Sequence, residues 1–362
     1  MRYFLKSVFV LLLISAGHTA FAQTDLERSK DLGKQAVALE DKGEFIQAIE
    51  LLTEAQRLDP ASIVFPYEMA YSYYNTKEYQ RVVDILTKLT THRDVFAKVY
   101  QLLGNAYDDL GQPDKATETY NAGLKVFPKA GELYLELAVM QLEKKEYDKA
   151  LNFCESGIKA DPAFPSNYYW ATRIYCGSTE KVWGMVYGEI FMNLERNTNR
   201  TAEISKLLFD TYKSSIDIDT AMNKTRVYFS KEITVAVDPN VDMTKFKVPF
   251  NLAYGLPVSL ATTGEKTIDL ASLNRIRTKF LASYHQSGYD KKYPNVLYDY
   301  QDEITKAGNF EAYNYWLLME GDKPAFETWR KANKEKWDKF IDWYNQSLLK
   351  LSEEHRFYRG QY

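Results

Sequence analysis

Histidine, cysteine and long apolar runs are all scarce in this chain of 362 residues, and each shortage removes a class of protein. Besides His18 near the N-terminus there are His92, His285 and His355, and none of these three is near another or beside a cysteine. That spacing leaves no H-E-x-x-H pair and gives no reason to expect a metal. No G-x-S-x-G elbow, G-x-x-x-x-G-K-[ST] loop or G-x-G-x-x-G turn occurs, so neither a serine hydrolase nor a nucleotide-binding fold is indicated, and no cofactor is expected. Asp217-Ile218-Asp219 has the start of a calcium loop without its glycine or closing glutamate. The formal net charge of -3 offers polyanions no general attraction, which drops nucleic acid as a partner. No apolar stretch approaches the ~18 residues that a membrane-spanning helix needs.

What is present begins at the N-terminus. Arg2 and Lys6 precede an apolar run from Val8 to Ala16, followed by Ala20-Phe21-Ala22. This is the pattern of a signal peptide, residues 1–22, cleaved after Ala22, so an exported protein, periplasmic or secreted, is expected. No cysteine follows the cleavage point, which disfavours a lipid anchor. Two cysteines, Cys154 and Cys176, remain in the exported chain, either bridged or as separate thiols. Their places in the repeat register described next point to different sides of the helices and favour separate thiols.

From Ala36 to Pro162 small residues recur every 34 positions. Ala36, Ala70, Gly104 and Ala138 form one series, Ala48, Val82, Ala116 and Ala150 a second, and Pro60, Pro128 and Pro162 a third in which Asp94 replaces one proline. In this the chain resembles the tetratricopeptide repeat family. The resemblance implies a mainly α fold, a solenoid of helical hairpins wound as a right-handed superhelix, and it says little about chemistry. Blocks of 34 give repeats at 29–62, 63–96, 97–130 and 131–164, each two antiparallel helices. In the third, Tyr100, Leu103, Gly104 and Tyr107 fall at i, i+3, i+4 and i+7, one apolar face with a small residue that lets the partner helix approach. Gly43, Gly111, Lys77-Glu78 and Lys145-Glu146 mark the turns between paired helices. A degenerate fifth pair occupies 165–196, with Gly177-Ser178-Thr179 read as a helix stop and cap, and a covering helix is expected over 201–215. The solenoid domain would thus span 23–216.

Residues 217–362 leave the 34-residue phase. Thr225 to Ser230 and Ile233 to Val237 read as a short β-hairpin, and Phe246 to Leu260 as a helix starting near Pro249 and disturbed at Pro257, or else as an extended segment. Helices are then expected after Asp269, after Pro294, over 309–319 and 322–332, and over 334–351. Residues 353–362 read as a loose tail.

In the tetratricopeptide family the first helices of successive repeats line a peptide-binding groove. The resemblance places Tyr67, Tyr71, Tyr74 and Asn75 there from the second repeat, and Lys98, Gln101, Asn105, Asp108 and Asp109 from the third. The fourth supplies Glu132, Leu135, Val139, Leu142 and Glu143, and the fifth Tyr169 and Arg173. The lysines and asparagines with which some members grip acidic C-terminal peptides are not matched, since Gly33, Val37, Gln101 and Asn105 hold those places. A neutral or basic protein or peptide ligand is therefore the expected partner.

Two rival readings concern the C-terminal region. Tyr289, Tyr293, Tyr298, Tyr300, Tyr313, Tyr315, Trp316, Trp329, Trp337, Trp343 and Tyr344 crowd it, and such rings either pack a helical core or, where exposed, stack on a glycan. Asp299, Asp302 and Glu303 are the acids a carboxylate-dependent hydrolase would need, or simply the solvated face of a helix. No catalytic residue is assigned.

Overall fold

A computed structural model describes residues 24–219, 224–231 and 248–362. The leader at 1–22 and the second expected strand, Ile233 to Val237, lie outside these residues. The chain divides into two compact units, one ending at Pro128 and the other beginning at Lys129.

The first unit is three helical pairs: α1 (24–40) with α2 (Phe45–Leu58), α3 (Val64–Asn75) with α4 (Tyr79–Leu89), and α5 (Ala97–Asp109) with α6 (Pro113–Val126). The repeated small residues set how closely they pack. Ala36, Ala48, Ala70, Val82 and Ala116 have no exposed surface. Gly104 faces the Tyr120 ring so closely that a Cβ there would lie 2.1 Å from a ring carbon.

The turns inside the pairs repeat as well. Gly43, Lys77 and Gly111 all adopt positive φ, at 78°, 63° and 72°. Each of these amides bonds to the carbonyl three positions back, and the amide that follows it to the carbonyl five positions behind itself: Gly43 to Glu40 with Glu44 to Leu39, and Gly111 to Asp108 with Gln112 to Tyr107. These bonds satisfy carbonyls that the helix end leaves free. Lysine takes the left-handed turn in the second repeat at a steric cost that glycine avoids.

The second unit opens with two more pairs, α7 (Gly131–Glu143) with α8 (Tyr147–Ala160) and α9 (Pro165–Cys176) with α10 (Lys181–Leu194). Lys145 holds the place in the fourth repeat that Gly111 holds in the third, with φ 58° and the same two bonds. The fifth turn departs from the pattern. Gly177 keeps a right-handed φ of -82°, and Ser178 accepts the Glu180 amide at 2.9 Å while α10 starts only at Lys181.

Helix α11 (Asn199–Ser215) follows, started by a reciprocal cap between Thr198 and Thr201. It buries Ile204, Leu208, Phe209 and Tyr212. The chain then forms an antiparallel hairpin of β1 (Ile216–Asp219) and β2 (Lys224–Val227), with Ile216 opposite Val227. The hairpin lies earlier than the sequence pattern places it: Asp217-Ile218-Asp219 is in its first strand rather than in any cation loop.

The remaining helices are α12 (Phe250–Ala261), α13 (Leu270–Gln286), α14 (Tyr289–Lys292), α15 (Val296–Lys306), α16 (Phe310–Leu318), α17 (Lys323–Ala332) and α18 (Lys334–Gln346). Pro249 is the N-cap of α12, and the helix runs through Pro257 without ending. Asp269 caps α13 by accepting the Ser272 amide at 2.8 Å, and the Asn295 side chain caps α15 at the Leu297 amide. Helix α18 ends at Gln346, short of the expected Leu351.

One core runs through this unit, from Ala138 through α10 and α13 to Phe357. Helix α10 is buried from Val182 to Asn193 on every side, as a helix at the centre of a globular core must be. Within it Glu189 accepts Arg277 at 2.6 Å, Gln301 at 2.6 Å and Tyr313 at 2.9 Å, while Arg277 also donates to Asn314 at 2.7 Å. A buried ion pair endures when its remaining donors and acceptors are also met. Here Gln301 of α15, Tyr313 and Asn314 of α16 and Tyr212 of α11, which accepts Arg277 at 3.1 Å, meet them.

Residues 353–362 are not a loose tail. Phe357 has no exposed surface, and Arg359 donates to Tyr175 and to the Tyr187 hydroxyl. The apolar bed under Phe357 binds the segment, which composition alone does not foreshadow.

Candidate functional site

In the first unit the residues assigned to the groove lie on α3 and α5, but Tyr67 and Tyr74 are half-buried against the core that the sequence pattern kept them out of. Tyr71 is 39% exposed, with its ring 6.5 Å from that of Phe45, and the Asn75 amide donates to the Tyr71 carbonyl. Tyr67 sets its ring edge-on to Phe96 at 4.8 Å. Two pairs of helices are joined through assigned residues: Tyr74 donates to Asp109 at 2.5 Å across α3 and α5, and Asn105 accepts Tyr120 at 2.6 Å across α5 and α6. Asn75, Lys98 and Asp109 are exposed, and Gln101, Asn105 and Asp108 half-buried.

Two acids that the groove pattern leaves out sit on these pairs. Glu40, the last residue of α1, is buried and accepts Ser72 of α3 at 2.6 Å. Burial pushes its carboxyl up to about 7; the Ser72 bond opposes this, while Glu68 and Asp41 add to it. Burial likewise raises the Glu68 carboxyl, against the pull of Lys98. The register carries the signal for the first of them, since Glu40, Tyr74 and Asp108 hold one place in successive repeats.

Beside Glu68 lies a cavity of about 500 Å³ whose walls include Lys30, Gly33, Val37, Leu52 and Phe65. At its wall Gly33 packs so closely on Phe65 that a Cβ there would lie 2.8 Å from the ring. Val37 and Val64 are 42% and 49% exposed at its rim.

In the second unit Leu135, Val139 and Leu142 on α7 are half-buried and Glu143 is exposed. Tyr169 is not an open groove position. It is 6% exposed, donates to Glu203 of α11 at 2.7 Å, and lies under the Arg200 guanidinium at 5.0 Å. Arg173 is tied to the same Glu203 at 3.2 Å and covers the Trp170 ring at 4.6 Å. The covering helix therefore occupies the ground that the fifth repeat was assigned in the groove.

The C-terminal aromatics are core. Tyr293, Tyr298, Tyr300, Tyr313, Tyr315, Trp316, Trp329 and Tyr344 are all buried. Tyr289, Trp337 and Trp343 are half-buried against the same cluster. A ring with both faces packed cannot stack on a sugar, so the eight buried rings are withdrawn from the glycan reading.

Of the three acids on α15, Asp302 is held by His285 at 3.0 Å, and Asp299 and Glu303 are exposed. Burial nonetheless raises the Asp299 carboxyl, opposed by His355 at 4.0 Å. Cys154 and Cys176 are two free, buried thiols. Burial pushes the Cys176 thiol up to about 12, which makes it a poor nucleophile.

The tetratricopeptide repeat family model matches residues 102–165, from the middle of α5 to the start of α9. The matched segment carries the same register of buried small residues and left-handed turns that the helical pairs before it show, so the tetratricopeptide-type repeat is shown for residues 102–165 and the pattern extends it to the neighbouring pairs. The chain is also similar to solved structures at low identity. PilF of Pseudomonas aeruginosa is 16% identical, over 53% of this chain and 86% of its own, with a TM-score of 0.44. TTC0263, a thermophilic tetratricopeptide-repeat protein of Thermus thermophilus, is 14% identical over 50% and 98%, at 0.42. MamA is 19% identical over 47% and 92%, at 0.36. No curated protein matches the sequence.

Proposed function

We propose that the chain is an exported scaffold that holds a protein or peptide ligand against the outward faces of α3 and α5. The observation that carries this reading is the face itself. Tyr71 and Asn75 on α3, and Lys98 and Asp109 at the two ends of α5, are exposed on first helices whose buried residues serve the shared core. Amphipathic tyrosines beside fixed carboxylates suit an extended segment with neutral or basic side chains.

Asp108, Asp109 and the half-buried Glu68 give this face its sign, and Lys98 is the one cation among the residues assigned to it on α3 and α5. Export rests on Arg2, Lys6, the apolar run and Ala20-Phe21-Ala22. A mature N-terminus at Gln23 on protein recovered outside the cytoplasm supports it, and an intact Met1 there contradicts it.

The test of binding uses the whole chain. Photo-crosslinking from position 71 in the native compartment, repeated with Asp108→Lys and Asp109→Lys together, should capture a discrete partner that the double variant loses. Capture unchanged by the double variant contradicts the groove reading.

A further inference from the structure

Residues 353–362 occupy the second unit in the manner of a bound peptide rather than of a packed helix. After α18 ends at Gln346 the chain has no regular structure until a short 3-10 turn at Arg359–Gln361. Between 353 and 362 only Phe357 is buried. That ring drops among Trp183, Tyr187 and Phe250, with centroids 6.0, 5.9 and 5.4 Å away.

Two positions on, Arg359 is read in three ways. Its backbone amide donates to Tyr187 at 2.8 Å and to Glu155 at 3.1 Å, and its guanidinium donates to Tyr175 at 3.1 Å. The guanidinium also lies 5.9 Å from both the Tyr175 and Trp183 rings.

The acceptor is organised in advance by the helices. The Glu155 carboxylate of α8 takes the Tyr175 hydroxyl of α9 at 2.9 Å and the Tyr187 hydroxyl of α10 at 2.6 Å. Neither bond involves the segment. Beside it a cleft of about 800 Å³ stays open, so the segment does not fill the surface it lies on.

We propose that this surface of α8, α9 and α10 is a docking site for an extended segment carrying an aromatic residue and, two positions later, an arginine. In this structure the chain's own residues 353–362 hold it, and a segment of the same chemistry from a partner protein competes with them. Sparse anchoring is what makes exchange feasible. Three side chains, the buried Phe357 ring, Arg359 and Tyr362, anchor the segment, and its backbone makes no bond to the backbone of α1 to α18 or of the hairpin among the described residues. Glu353 with Lys129, His355 with Asp299 and Arg356 with the Lys159 carbonyl are exposed ties of little weight, and the half-buried Tyr362 is a third anchor, its ring stacked on Phe250 at 5.3 Å and edge-on to Tyr293, its hydroxyl donating to the Pro294 carbonyl. The site is distinct from the α3–α5 face and stands whether or not that face binds a ligand.

The probe is a fluorescent peptide of the sequence from Ser352 to Tyr362, titrated against the whole chain. Phe357→Ala with Arg359→Ala in the chain empties the site and should tighten peptide binding at least tenfold over the unaltered chain. Peptides carrying either alanine themselves should bind the emptied chain at least tenfold more weakly. No binding to a folded double variant, or equal binding of all three peptides, overturns the proposal.

Should the double variant not fold, hydrogen exchange on the unaltered chain decides. The Arg359 amide should exchange at least tenfold faster than the Ile190 amide, because the segment opens by itself. Equal rates mean that it leaves only when the unit unfolds, and overturn the proposal.

Discussion

The two units solve the same packing problem at different ranges. In the first, small cores join the first and second helical pairs each to the first helix of the next, as Ala36, Ala48, Leu52 and Ala55 meet Phe65, and are built from residues close in sequence. In the second, Ala138 and Phe357 belong to one core, and Glu189 reaches partners 88, 112 and 124 residues away. A repeat array needs only neighbours, and its stability is close to a sum of local terms. Once α9–α10 is enclosed by later helices, it can bury a full ion pair, Glu189 with Arg277, where the first unit buries the Glu40–Ser72 bond.

The largest effect that sharpens this contrast is at Glu189. Glu189→Ala leaves the Arg277 guanidinium buried without its anion, which costs about 3–5 kcal/mol. Calorimetry of the whole chain should show the second unit melting earlier and the first unchanged. In the first unit Gly104→Leu forces atoms into the Tyr120 ring and should cost about 3 kcal/mol of that unit's stability, with helicity lost from α5 and α6. If either variant lowers both transitions equally, the two modes of packing are not separate.

A smaller effect is expected from Glu40, whose carboxyl is raised in the folded chain. A raised carboxyl favours folding only while protonated. Its contribution is complete below the unfolded value of 4.5 and is lost as pH rises through about 7. The first unit should lose about 2 kcal/mol between pH 4 and pH 8, followed by chemical denaturation, and Glu40→Gln should flatten that slope. Smallest are Lys77→Gly and Lys145→Gly, each expected to stabilise its own unit by a few tenths to about 1 kcal/mol, read from the denaturation midpoint. Glycine takes the left-handed turn without strain but loses more entropy on folding.

The repeats are legible because their physics is local. A small residue every 34 positions is a steric requirement written directly in the sequence, and Ala36, Gly104 and Ala150 can be read without knowing what lies beyond the next helix. The cap at Asp269 and the run through α13 are legible for the same reason.

What the sequence hides depends on distant partners. Phe357 looks like any aromatic near a chain terminus until Trp183 and Phe250 are placed beside it. Tyr169 occupies a groove position in the register but is covered by Glu203 and Arg200, which the register does not contain. Glu40 escapes notice although it holds the place that Tyr74 and Asp108 hold in the next repeats, because only the meeting with Ser72 buries it.

Native-state hydrogen exchange on the whole chain tests the contrast most directly. The predicted result is a spread of protection among α1 to α6, pair by pair, alongside one shared opening free energy for α10, α13, α15 and α16. A single common value for both sets, or graded protection across the four helices around Glu189, would contradict it.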